Sequence, residues 1–559
     1  MSKRKTAKTP PQIAPTTAVG DKMSASFVVP KWLPLTFILV ATTLIRLQYL
    51  DIPLERDESI YSYIGKLALN GGKPYVDFFE MKPPIMFYSY ALLVGIFGYS
   101  ATGVHLAATA LGTLNTFFTF ALARKIGGLR VAYLSATAYA ISLLNPGVYG
   151  SYLLSENVAL AWGLPAVLWA LNYPNTTNRK QLFATGFLLA MAFLTKQTAG
   201  VLAASVGVYW LTQWFSQRKE TPFSTFFKPI LSVILGFLLP ILLVIVGLWV
   251  IGSWKDAFFW LYDYPNLYAN EITPAESELA FGLMRRLVFT GYSGYFITAG
   301  LGVLALILSK KPTSAKFFLM TWAILAIFTV SIGKRFYGHY WLLALPVLAI
   351  LGGTVFQELH LWLHQKMGRI EAAIVAVLGV LWSIHAVFMQ PSYYINPPLT
   401  EISRTFLPGN PFVEHQVLAN YIQKIIQPNE QIAVFGSDPQ YFIYLNKISP
   451  IRHVYFPLIS NAQFPNATIW QDETIDAFKK TKPKYVIWNK YPIAWMYKPA
   501  FSQRLYDQLF EEMMQHYELV AFVENPSFNK VVEVKEPEKG GKIPAAATYI
   551  SVLKRRDGF

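Results

Sequence analysis

Four ionisable residues in one short stretch carry the first chemical suggestion. The segment LERDESIYSYIGKLALNGGKPYVDFFEMKPP holds Asp57 and Glu58 side by side, then Glu80 and Lys82. Acids and a base of these types can pass protons and hold anions. They stand just beyond an apolar run, 32–50. An acidic pair also serves a plainer purpose at a helix start, where carboxylates accept from free N–H groups and complement the helix dipole. Asp57 and Glu58 fit that role in a helix that Gly71 and Gly72 end after Asn70. Spacing alone leaves both readings standing. The setting favours a working site, because polar groups at membrane depth are expensive and tend to be functional.

Composition makes that setting a membrane. Of 559 residues, 53% are hydrophobic and only 14% are charged, against about 25% charged in soluble domains. A soluble enzyme is excluded. The 48 Lys and Arg exceed the 32 Asp and Glu, for a formal charge of +16. These bases cluster between apolar segments, as cytoplasmic loops do for topological reasons, so no nucleic-acid partner is expected. With no cysteine there is no disulfide, thiolate metal site or cysteine nucleophile.

The run 32–50 reads as an uncleaved spanning helix behind a disordered, basic cytoplasmic tail over 1–30. Further spans are expected at 102–123, 131–148, 154–171, 182–195, 199–215, 229–251, 287–308, 317–332, 340–356 and 370–389. The stretch 84–99, with its double proline, decides the topology. If it does not cross, the basic loops at 123–130, 178–180, 216–220, 309–316 and 364–369 all share the side of the basic tail. If it crosses, the first of them lands outside and every later loop inverts. The positive-inside rule favours about eleven transmembrane helices with 84–99 packed in the outer leaflet.

The expected architecture is an α-helical polytopic membrane protein. Its transmembrane domain covers 31–389, with a first external loop at 51–101. An extracytoplasmic α/β domain covers 390–559, where the period-two runs 431–435 and 484–488 alternate with a helix over 502–516 and a loop over 536–542. No internal repeat is visible, which disfavours a transporter built from inverted halves.

The first loop resembles that of the GT-C glycosyltransferases, above all the family 39-like group of protein O-mannosyltransferases and bacterial lipid A aminoarabinose transferases. The shared pattern falls on Asp57-Glu58, Tyr61, Gly72, Pro74, Tyr75, Asp77, Glu80 and Lys82-Pro83-Pro84. Three later segments are similar too: YLLSENVAL with Glu156, where many relatives carry Asp, AFLTKQTAG with Lys196, and KRFYGHYWLLALPVLA with Arg335 and His339.

The resemblance implies a GT-C fold and an inverting transfer of sugar from a polyprenyl-phosphate carrier to an acceptor hydroxyl on the outer face. The acceptor is a glycan, lipid or protein, and the setting implied is a bacterial plasma membrane. Under it, Asp57, Glu58 and Glu156 are the catalytic candidates, with Asp57 the general base. Lys82, Lys196 and Arg335 would hold the lipid phosphate, where negative charge grows. Tyr61, Tyr75, Asp77, Glu80 and His339 would position substrate.

Plainer roles compete at each position. Lys82 and Lys196 could snorkel from helix ends, Glu156 could cap the helix that starts beside it, and His339 could be a hydrogen-bonded interfacial histidine. No cofactor is assigned from the residues. A divalent metal is an open alternative, with Glu80 and His339 its weak candidate ligands. Two other functions compete: a lipid-linked glycan polymerase or ligase, and a lipid or glycan transporter. A transporter should place ionisable residues near the midplane of its spans, whereas here the carboxylates gather at one surface.

Overall fold

The computed structural model describes residues 30–173, 175, 178–309, 312–367, 369–462, 464, 466–495, 501–524, 531–537 and 548–558. The expected tail over 1–30, save its last residue, and most of the loop at 536–542 lie outside them.

Helix α1 (Leu33–Leu47) carries one charged residue, Arg46. The Arg46 side chain is buried and donates to the carbonyls of Ala108 at 3.1 Å and Gly150 at 2.7 Å. One guanidinium thereby ties α1 to two later segments. Helix α2 (Arg56–Leu69) follows, and its first turn is closed by a reciprocal capping box between Glu55 and Glu58. Gly71, at φ 83°, ends it where expected.

Helix α3 (Pro84–Phe97) has 14 residues, a rise of about 21 Å, short of a hydrocarbon core of about 30 Å. It lies on α2 at backbone contact. A Cβ on Gly65 would stand 2.7 Å from the Tyr90 carbonyl carbon, so only glycine fits there.

Helix α4 (Ala101–Ser142) runs 42 residues but breaks at Gly128, whose φ of 84° is not helical. Two helices therefore meet within the basic segment, as the separate spans at 102–123 and 131–148 anticipate. Helices α5 (Ser155–Ala170), α6 (Arg179–Thr195) and α7 (Gly200–Gln217) come next.

Among the described residues, five helices are long and apolar enough to cross a membrane. The number is six if the bent pair Pro274–Phe289 and Ser293–Leu308 counts as one span. That pair corrects a boundary. The sequence reading starts a span at 287, but the two helices meet at 93° around Gly291, at φ 77°, and the apolar helix begins at Ser293. Its neighbour Pro274–Phe289 carries Glu276 and Arg286 and belongs with the segment before it. The start at 340 also shifts: Gly338–Leu343 is a 3-10 turn and the α-helix begins at Leu345.

Among the described residues beyond 430, four strands form one sheet, in the order β1-β2-β4-β3. They are β1 (Ile432–Phe435), β2 (Tyr485–Asn489), β3 (Tyr517–Glu524) and β4 (Tyr549–Arg555). β1 and β2 are parallel, and the other pairings are antiparallel. β1, β2 and the helix Gln503–His516 fall within a residue of the expected runs. The antiparallel strands were not expected. Leu54, Tyr63, Phe78 and Phe87 of the first loop share one buried apolar cluster with Phe442, Trp470 and Trp488 of this C-terminal region. Phe79, Trp260 and Trp470 stack in sequence, with centroids 4.8 and 5.3 Å apart, and join the first loop to two later segments.

Candidate active site

Asp57 lies in the first turn of α2 and is half-buried. The helix-capping role belongs to Glu55, whose Oε2 accepts from the backbone N–H of Asp57 at 2.6 Å and of Glu58 at 3.2 Å. Three carboxylates in one turn repel. Burial first, then the charges of Asp57 and Glu58, push the Glu55 carboxyl well above its usual range.

Glu58 is fully buried and committed on both oxygens. Oε2 accepts from the Leu153 N–H at 2.8 Å, and Oε1 accepts from the Glu55 N–H at 3.0 Å and lies 3.1 Å from His105 Nε2. Asp57 is the opposite case. Among the described residues, no hydrogen bond or ion pair engages its carboxylate, yet Lys82, Lys196, His339 and Tyr340 all lie within its electrostatic reach.

Each of the two lysines has a carboxylate partner. Lys82 Nζ stands 3.0 Å from Glu80 Oε1 and 5.2 Å from the centre of the Tyr61 ring. Lys196, at the end of α6, donates to Glu156 in the first turn of α5 and lies 5.0 Å from the Tyr340 ring. His339 Nε2 is 3.8 Å from the same Glu156 oxygen. All five side chains are buried. The turn bearing His339 sits against α5's approach because Gly338 touches the Gly147 carbonyl, where a Cβ would be 1.7 Å away.

Burial alone would lower Lys82, but Glu80 and Asp57 outweigh it and hold the ammonium above its usual value. For His339, burial dominates and, against the opposing charge of Glu156 and with Lys196 assisting, holds the imidazole below its usual value. The cluster thus combines two lysines paired with carboxylates, an imidazole beside one of those carboxylates and, among the described residues, one carboxylate with no hydrogen-bond or ion-pair partner.

The remaining candidates separate. Tyr75, at φ 63°, donates its hydroxyl to the Lys82 carbonyl at 2.7 Å, and Asp77 accepts from the Lys73 N–H at 2.7 Å. Both shape the turn that presents Glu80 and Lys82. Tyr61 packs edge-on against Tyr90 with centroids 5.4 Å apart.

Arg335 has an acid partner of its own, while its charge also reaches Tyr340, the ring beside Lys196. It donates to Glu271 Oε2 at 3.1 Å and to the Tyr268 carbonyl at 3.0 Å, while Asn461 donates to the other Glu271 oxygen at 3.2 Å. Its neighbours Lys334 and Phe336 both take positive φ, 54° and 47°. Glu80 and His339 have separate partners, Lys82 and Glu156. Among the described residues no group of three His, Asp or Glu side chains is placed to hold a metal ion.

Sequence reasoning missed Glu55, His105, Arg56 and Glu271. His105 carried a signal, as a lone histidine inside an apolar span. Glu271 carried none.

Residues 81–249 match the sequence profile of the family described as dolichyl-phosphate-mannose-protein mannosyltransferase. No curated protein matches the chain in sequence. Among solved structures, ArnT from Cupriavidus metallidurans, bound to undecaprenyl phosphate, superposes with a TM-score of 0.57 at 16% identity. The alignment covers 90% of this chain and 97% of that one. AglB, the archaeal oligosaccharyltransferase from Archaeoglobus fulgidus, in complex with an inhibitory peptide and a dolichol-phosphate, gives a TM-score of 0.51 at 13% identity. That alignment covers 92% of this chain and 75% of that one. The fold is the GT-C fold, and the profile match takes in Lys82, Glu156 and Lys196 but begins after the Asp57–Glu80 part of the first-loop motif.

Proposed function

We propose that this chain, a membrane glycosyltransferase of the GT-C fold, moves a sugar from a polyprenyl-phosphate carrier to an acceptor hydroxyl, with Asp57 as general base. The observation that carries the reading is the unpartnered, half-buried Asp57 carboxylate beside the buried Lys82 and Lys196 ion pairs. The acceptor oxygen attacks the anomeric carbon, its proton passes to Asp57, and the carbon–oxygen bond to phosphate breaks with the electron pair leaving on the phosphate. Attack opposite the leaving group inverts the anomeric centre.

Lys82 and Lys196 stabilise the departing phosphate as its charge grows, which preorganised cations in a dry site do far better than water. Glu80 and Glu156 hold those ammonium groups in place, and Glu58 holds the turn. We assign Arg335 to securing the segment that carries Tyr268 and Glu271, with the phosphate left to the two lysines.

The active site and the region beyond residue 390 face the outer side of a bacterial plasma membrane in this reading, and eleven helices cross. A polymerase or ligase would share the chemistry and differ only in acceptor. The test uses membrane vesicles containing the protein and undecaprenyl-phosphate mannose, galactose and aminoarabinose, each labelled in the sugar. One donor should lose label to acceptor with wild-type protein. Asp57→Asn should abolish transfer, by about a hundred- to ten-thousand-fold, while photocrosslinking to the lipid donor persists. Transfer near the normal rate by Asp57→Asn would remove the base assignment.

A further inference from the structure

Arg56 precedes Asp57 in the chain and is anchored in a different part of the fold. Its Nε donates to the Ser437 carbonyl at 2.8 Å, and its guanidinium carbon stands 5.8 Å from the centre of the Phe412 ring. Ser437 lies just past β1. Around it, at the carboxyl ends of the parallel strands β1 and β2, is a buried polar group: Asp438, Asn489 and His415. Asn489 Nδ2 donates to Asp438 Oδ2 at 2.6 Å, His415 Nε2 is 3.3 Å from Asp438 Oδ1, and Ser437 Oγ donates to the Ala494 carbonyl at 2.7 Å.

The same helix and the chain just before it are each gripped at one further point. The Leu54 N–H donates to the Tyr444 hydroxyl at 2.8 Å, and the Tyr63 hydroxyl accepts from the Ser449 N–H at 3.1 Å. A guanidinium drawn into such a place loses hydration that one carbonyl repays only in part. Arg56 holds the backbone of the turn that carries Asp57.

We propose that Arg56 is a positioning residue: anchored on the Ser437 carbonyl at the edge of the C-terminal sheet, it fixes the α2 turn that presents Asp57 to the acceptor. The proposal rests on Asp57 being the base, and it makes the C-terminal region part of the catalytic frame. Misplacing a catalytic group by about 1 Å lowers the rate on the order of a hundredfold. The lysines proposed to bind phosphate sit on other segments, so donor affinity should be spared.

The experiment compares full-length wild type, Arg56→Met, Arg56→Lys, Arg56→Ala and Asp57→Asn in membrane vesicles at equal protein level. It uses the undecaprenyl-phosphate sugar that wild type transfers. Arg56→Met should lower the maximal rate about a hundredfold with the donor KM within about threefold of normal. Arg56→Lys should recover part of that loss, and guanidinium ion added to Arg56→Ala should recover more than added sodium does. A normal maximal rate in Arg56→Met, or a raised KM at normal maximal rate, would overturn the proposal. Should Arg56→Met fail to insert, a fully active Arg56→Lys with no guanidinium effect on Arg56→Ala would overturn it as well. If Asp57→Asn is inactive while Arg56→Met is normal, this inference alone falls. If Asp57→Asn is active, the base assignment falls with it.

Discussion

Glu58 Oε2 accepts a hydrogen bond from the Leu153 backbone N–H at 2.8 Å, across 95 positions of sequence. With His105 and Glu55 on the other oxygen, it joins the first loop to α4 and to the approach of α5. That junction separates two adjacent acids that the sequence presents alike. Glu58 holds the frame, and Asp57 is left open to it.

Glu58→Gln should therefore act on stability. An amide turns one acceptor end into a donor facing an N–H, a loss of about 1–3 kcal/mol for the buried group left unsatisfied. The thermal midpoint of the purified protein should fall, while turnover per folded molecule drops less than about tenfold, far less than loss of a general base. Unchanged stability with turnover lost as in Asp57→Asn would make Glu58 a reacting group instead.

The Lys196–Glu156 pair allows a thermodynamic cycle. Both side chains are buried, so Lys196→Met strands a carboxylate and should destabilise by about 3–5 kcal/mol. Adding Glu156→Gln should return most of that stability, since both charges are then gone. Activity should not return with it, because the phosphate has lost a cation. A double variant that regains transfer would show that the pair is only structural.

Topology is open to a clean measurement, because the chain has no cysteine and each introduced one reports alone. Lys73, Arg124 and Arg218 are all exposed. In the eleven-span arrangement, a membrane-impermeant maleimide applied to intact cells labels Lys73→Cys, and labels Arg124→Cys and Arg218→Cys only after permeabilisation. Labelling of Arg124→Cys from outside would mean that α3 crosses.

Two buried histidines predict acid sensitivity of the C-terminal region. Burial brings His415 down to about 4, with Asp438 opposing and Arg56 assisting. Burial likewise brings His453 to about 4, against the Glu473 hydrogen bond and with Arg452 assisting. Both folded values lie below the ordinary 6.5, so the unfolded chain binds more protons between those limits. Their contribution is complete above about pH 6.5 and is lost as pH falls toward 4. The thermal midpoint should decline from pH 7.5 to 5, and His415→Gln with His453→Gln should flatten the decline. An equally steep decline in the double variant would refute this origin.

Local chemistry was legible in the residues alone. Composition required a membrane, apolar runs marked most of the helices, and Gly71 ended α2 where turn geometry demands glycine. The loop motif gathered Asp57, Glu80 and Lys82 within 26 residues, close enough for one loop to present them.

Pairing was decided elsewhere, because a charge's partner depends on which segments the fold brings together. Lys196 meets Glu156 across two helices, Arg335 meets Glu271 across 64 positions, and Arg56 reaches Ser437 across 381. The sequence by itself determined which residues could do chemistry, because side-chain type sets what a group can donate, accept or hold. Only the tertiary structure left Asp57 unpartnered and Glu58 committed, since one turn of helix points adjacent side chains about 100° apart and the packing around each then differs.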